Sequence, residues 1–137
     1  MNWLFADTAG WVAAADAADA RNAAVRAARD AWLERGGGLL TTDYVVDETL
    51  TVLRARLGLP AAAVWWRQVQ ASRRVRIEWL NAARADKARG LFFRYRDKSF
   101  SFTDCTSFTV MKELGIRTAW TLDAHFRRAG FEVLPRD

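Results

Sequence analysis

"RTAWTLDAHFRRAGFEVLP", residues 117–135, decides the fold. RTAWTL reads as a strand that ends at Asp123, and FEVLP reads as a closing strand with a helical connection before it. The same alternation recurs on working back toward the N-terminus. FTDCTSFTVMKELG (102–115) is a capped helix, LNAARADKARGLFFRYR (80–96) another, and RVRIEW (74–79) alternates like a strand. Pro60 opens PAAAVWWRQVQAS as the first turn of a helix. TTDYVVDETLTVLRARLG (41–58) begins with Thr and Asp capping candidates and closes on Gly58. LLTT (39–42) is a brief strand, GGG (36–38) stops an alanine-rich helical pair over 8–35, and NWLFA (2–6) is an apolar run ending at Asp7. The order βααβααβααβαβ predicts an α/β protein with a mostly parallel central sheet flanked by helices on both faces.

The chain's 137 residues suit one domain with a real core. With 51% hydrophobic and 27% charged residues, the composition is that of a folded globule, and no repeat, low-complexity tract or linker interrupts it. No segment approaches the roughly 20 apolar residues of a membrane span. MNWLFAD lacks a basic start and meets an acid at Asp7, so it reads as a mature first strand; a cytoplasmic protein without membrane partners is expected. A single cysteine, Cys105, excludes a disulfide framework and a thiolate zinc cluster. A single histidine, His125, excludes a ribonuclease built on a histidine acid and a histidine base. Net charge +5 and a pI near 10.1 favour an anionic partner such as nucleic acid, although the arginines are spread along much of the chain.

Four acids stand out against that basic background. Asp7 and Asp123 each follow the last apolar residue of an expected strand, and in open α/β sheets ligands bind beyond the carboxyl ends of the strands. Asp104 lies in the first turn of its helix and shares a face with Phe108 and Met111, so it points inward. On the helix 43–57, Asp47 belongs to a polar face with Asp43, Thr51 and Arg54, whereas Glu48 falls in a mainly apolar stripe with Tyr44, Val45 and Val52. Capping explains some of these acids individually: Asp7 and Asp123 precede helices, and Ser101-x-x-Asp104 fits a capping box. It does not explain Glu48. Two ionised carboxylates about 4 Å apart repel by roughly 4 kcal/mol at an effective dielectric near ~20, so four gathered at one rim call for a counter-ion. All-oxygen ligands select a hard divalent cation, Mg²⁺ or Mn²⁺, and such ions serve metal-dependent nucleases by generating a hydroxide nucleophile and neutralising phosphate charge.

FADTAGW (5–11), TTDYVVDETLTVL (41–53), DKSFSFTDCTSF (97–108) and TLDAHFRRAGFEVL (121–134) resemble, in order and spacing, the four acidic motifs of PIN-domain ribonucleases, most of all the VapC-like toxins. The resemblance covers nearly the whole chain and implies one PIN-like nuclease domain over residues 1–137. It puts the family's first aspartate on Asp7, its glutamate on Glu48, its third acid on Asp104 and its fourth on Asp123, as catalytic and metal-binding residues, with Asp97 as an accessory acid. It implies a Mg²⁺- or Mn²⁺-dependent endoribonuclease acting on RNA, a homodimer, and inhibition by a small antitoxin whose C-terminal segment fills the groove. Two alternatives stand beside it: an inactive RNA-binding or scaffold module whose acids are caps, and a free-standing PIN nuclease without an antitoxin. A phospho-accepting receiver domain would want paired acids after the first strand and a lysine after a late one, which FADTAGW and TAWTLDAHF do not supply.

Between Arg84 and Lys98, six basic residues interleave with Phe92, Phe93 and Tyr95. Arg94, Arg96 and Lys98 are candidate phosphate contacts, while the two phenylalanines read as the apolar face of an amphipathic helix. Trp3 and Trp120 read as strand core. Trp65 and Trp66 point about 100° apart on a helix and are not expected to be buried together. Cys105 reads as a buried, inert thiol and His125 as a surface residue.

Overall fold

The computed structural model describes residues 1–136. Its elements are β1 (Trp3–Ala6), α1 (Thr8–Ala15), α2 (Asn22–Glu34), β2 (Gly38–Thr42), α3 (Asp43–Leu57), α4 (Leu59–Ala71), β3 (Val75–Glu78), α5 (Ala82–Arg94), α6 (Phe102–Leu114), β4 (Thr118–Trp120), α7 (Ala124–Arg128) and β5 (Glu132–Leu134). The expected order is therefore present, and the sheet is wholly parallel, with strands arranged β3-β2-β1-β4-β5. No helix among the described residues is long and apolar enough to cross a membrane.

The central strands are covered on both faces, as parallel strands must be: Leu4, Phe5 and Ala6 of β1 and all of β2 are buried. Phe5 pairs with Leu40 on one side and Ala119 on the other. The edge strand β3 instead exposes Arg76, a charge that discourages edge-to-edge pairing. Phe126 packs on Phe5 and, edge-to-face, on Phe108, which brings α6 and α7 against the sheet. Trp120, fully buried, stacks edge-on with Trp11, and Trp11 does the same with Trp65. As the adjacent pair requires, Trp65 is buried while Trp66 is only half-buried. Trp3 is half-buried too, so only Trp120 of the two strand tryptophans is true core.

Chain order explains where the cleft opens. From β1 the chain moves outward through β2 to β3, then returns across the sheet to β4 and continues outward to β5. β1 and β4 are thus the neighbours at which winding reverses, and the crevice beyond their carboxyl ends is the place where such sheets bind ligands. Asp7 N–H donates to the Trp120 carbonyl at 3.2 Å, holding these two ends together. Gly10 lies over the same point; a Cβ there would stand 2.5 Å from the Trp120 carbonyl oxygen, so only glycine lets α1 approach β4.

Two local expectations change. β4 stops at Trp120 rather than Leu122, since Thr121 turns its hydroxyl back toward Asp7. Phe92 and Phe93 are not core: they are 39% and 69% exposed. α5 is seated by the buried Ala88 and by Arg84, which bonds both Glu78 at the end of β3 and Glu113 on α6, while in its last turn Leu91 packs against the core and Phe92 stacks edge-on with Phe102.

Candidate metal centre

Each acid reaches the rim by a different local device. Asp7 is 4% exposed and precedes α1, yet its side chain makes no cap bond; its Oδ2 accepts from Thr121 Oγ1 at 2.7 Å. Thr121 Oγ1 in turn accepts from Asp123 N–H at 2.9 Å, so one buried hydroxyl fixes both strand-end aspartates. Asp123 Oδ1 caps α7 by accepting from His125 N–H at 2.9 Å. Asp104, 6% exposed, forms the capping box with Ser101: its N–H donates to Ser101 Oγ and its Oδ2 accepts from Ser101 N–H, both at 3.0 Å. Glu48 sits mid-helix on α3, half-buried, while its neighbour Asp47 is exposed.

These residues line one cleft of about 510 Å³. Within it Asp104, Asp123 and His125 offer ligand atoms that all lie within 4.8 Å of one another. Asp7 and Glu48 line the same cleft but stand outside that tight cluster. The capping reading is thus correct for Asp104 and Asp123, but it engages one carboxylate oxygen of each. Among the described residues, no hydrogen bond engages Asp104 Oδ1 or Asp123 Oδ2.

The acids act on one another electrostatically. Burial pushes the Asp7 carboxyl up to about 7, the Thr121 bond opposes this, and the Asp104 and Glu48 charges add to it. A hard divalent cation would reverse that balance, and the oxygen donors fit Mg²⁺ or Mn²⁺ chemistry.

His125 departs from expectation. It is half-buried, set edge-on to Phe100, and its Nδ1 lies 2.7 Å from Asp104 Oδ2 and 3.4 Å from Asp123 Oδ1. The one-turn helix after Asp123 folds the ring back over the aspartates, a contact that the sequence spacing alone does not show. Thr121 was equally silent in the sequence; its position two residues before Asp123 is the only signal. Asp97 is exposed, pairs with Lys98 at 3.3 Å and does not line the cleft. Cys105 is fully buried, and burial together with the Asp104 charge raises its thiol to about 11, an inert state.

A wholly parallel α/β sheet with acids gathered at its switch point defines the class, and the chain belongs to the PIN domain family, which matches residues 4–132. The chain is 36% identical over 133 residues to the 23S rRNA-specific endonuclease VapC20 of Mycobacterium tuberculosis, in strains CDC 1551 / Oshkosh and H37Rv, covering 96% of this chain and 98% of that protein. The crystal structure of Mycobacterium tuberculosis VapC20, described as a sarcin-ricin loop cleaving toxin, superposes with a TM-score of 0.84 at 33% identity over 93% of this chain and 95% of that one.

Proposed function

We propose that the chain, as one nuclease domain over residues 1–137, is a metal-dependent endoribonuclease that hydrolyses RNA phosphodiester bonds and acts as the toxin of a toxin–antitoxin pair. Asp7, Glu48, Asp104 and Asp123 hold Mg²⁺ or Mn²⁺ in this reading. The observation that carries it is the switch-point cleft in which Asp104 and Asp123 each keep one oxygen open beside Asp7, a buried carboxyl raised to about 7. A bound divalent cation supplies an activated water and neutralises charge developing on the phosphate. The chain's own residues hold and orient: Thr121 fixes Asp7 against Asp123, and Glu48 faces the cleft where it orients the attacking water. Arg56, about two turns beyond Glu48 on α3, also lines the cleft and attracts the RNA backbone in this reading.

The inactive-module alternative requires that the acids serve only as caps. Asp7 makes no cap bond and Glu48 lies mid-helix, which disfavours it. The likeness to VapC20 supports the toxin assignment over a free-standing nuclease, and makes 23S rRNA the first substrate to try. A small cognate antitoxin, a second copy of this chain as homodimer partner and a cytoplasmic location belong to the same reading.

The test is cleavage of a labelled RNA carrying the sarcin–ricin loop, with Mg²⁺, Mn²⁺ or EDTA, beside Asp104→Asn. Cutting that needs the metal and disappears in the variant is expected. Equal cutting in EDTA, or by the variant, would remove the carboxylate site from the reaction.

A further inference from the structure

We infer that His125 is a positioning residue for the metal site: its Nδ1–H clamps Asp104 Oδ2 and thereby turns Asp104 Oδ1 toward the cleft. The inference rests on the metal reading of the site. A carboxylate only accepts, so the 2.7 Å contact places the imidazole hydrogen on Nδ1. Asp104 Oδ2 then takes two donors, Ser101 N–H from its own helix turn and His125 Nδ1–H from α7. One bond alone leaves a carboxylate free to rotate about its Cβ–Cγ axis; two donors from different elements fix its plane.

Beyond Asp104, the imidazole itself is held from two further sides. Phe100 packs edge-on against it at 5.5 Å, and Ser99 Oγ lies 3.4 Å from Nε2. The Asp123 cap bond comes from the backbone N–H of His125, so it survives side-chain replacement at this position. His125 therefore ties the segment before α6, the first turn of α6 and the aspartate after β4 into one frame. Groups that orient metal-binding side chains in this way govern affinity for the ion by about 10–100-fold.

Substitution separates positioning from ligation. In His125→Asn the amide nitrogen sits one bond from Cγ, where Nδ1 stands, and can still donate to Asp104. In His125→Gln it lies one bond further out, near the place of Nε2. Mn²⁺ binding measured by calorimetry, with the melting temperature of each metal-free variant as the folding control, is the readout. His125→Ala is expected to weaken Mn²⁺ binding about 10–100-fold with little change in metal-free melting, His125→Asn to restore most of the affinity, and His125→Gln to restore little. Wild-type affinity in His125→Ala would overturn the inference and leave the metal site standing. Rescue by Gln but not Asn would overturn it in favour of a ligand role through Nε2. A lowered metal-free melting temperature with unchanged affinity would make His125 a packing residue only. Failure of the wild-type protein to bind Mn²⁺ would overturn the metal reading and this inference together.

Discussion

Asp7 carries a conflict within one side chain, since the burial that places it at the rim also opposes its charge. An acid whose folded pKa is raised stabilises the fold fully below its unfolded value of 3.8 and loses that contribution as pH rises through about 7. Metal-free wild type should therefore lose roughly 2–4 kcal/mol between pH 4 and pH 8 from this group, and Asp7→Asn should not. Calorimetric melting of both proteins across that range checks this; parallel pH profiles would refute it. Mn²⁺ binding should strengthen as pH rises through about 7, because the ion must displace the Asp7 proton. Thr121→Val removes the hydroxyl that serves Asp7 and Asp123 at once, and is expected to cost about 1–3 kcal/mol of stability, with Thr121→Ser retaining most of it, as chemical denaturation would show. The acids were legible in the sequence because each sits at a local signal: the end of an apolar run, a first helical turn, or an apolar helix stripe. Thr121 and His125 were not, because they act on residues 114 and 21 positions away, and the backbone bend after Trp120 that aims the hydroxyl is a tertiary feature.

At the scale of elements, α6 shows how one capping box serves structure and site together. Ser101→Ala removes the bond from Asp104 N–H to Ser101 Oγ and should cost about 1 kcal/mol. The reciprocal bond from Ser101 N–H to Asp104 Oδ2 is made by backbone and survives. Stability should fall, then, while Mn²⁺ affinity changes little; a drop in affinity as large as that expected for His125→Ala would mean that the Ser101 hydroxyl also orients the acid. The helix itself was readable from its cap and from Gly115, which adopts φ 68° at its end. α5 was readable as a helix but not in its orientation: its sequence pattern put Phe92 and Phe93 on the apolar face, whereas Ala88 is the residue buried and both phenylalanines are exposed. Arg84 instead joins α5 to Glu78 and Glu113, partners on two other elements that the local pattern does not show.

The whole molecule sets an acidic cleft within a chain of net charge +5, so under the proposed function RNA would be held by one surface and cut at another. The order of strands and helices follows from local pattern, but the arrangement β3-β2-β1-β4-β5 does not, because neighbours in the sheet are chosen by contacts between distant segments. That arrangement brings Asp7 and Asp123 to one crevice, while the exposed Arg94 and Arg96 and the half-buried Lys98 lie on the last turn of α5 and the segment after it. Positive charge that tracks phosphates releases counterions, so binding weakens with salt in proportion to the phosphates neutralised, with a slope of about −0.7 for each on single-stranded RNA. Replacing Arg94, Arg96 and Lys98 with glutamine should reduce the slope of log affinity against log salt by about 2, when measured by fluorescence anisotropy in an Asp104→Asn background that does not cut. Asp104→Asn alone should leave that slope unchanged while removing cleavage. An unchanged slope in the triple variant would place the RNA path elsewhere on the surface, with the arginines of α3 and α4 (Arg54, Arg56 and Arg67) the next to neutralise.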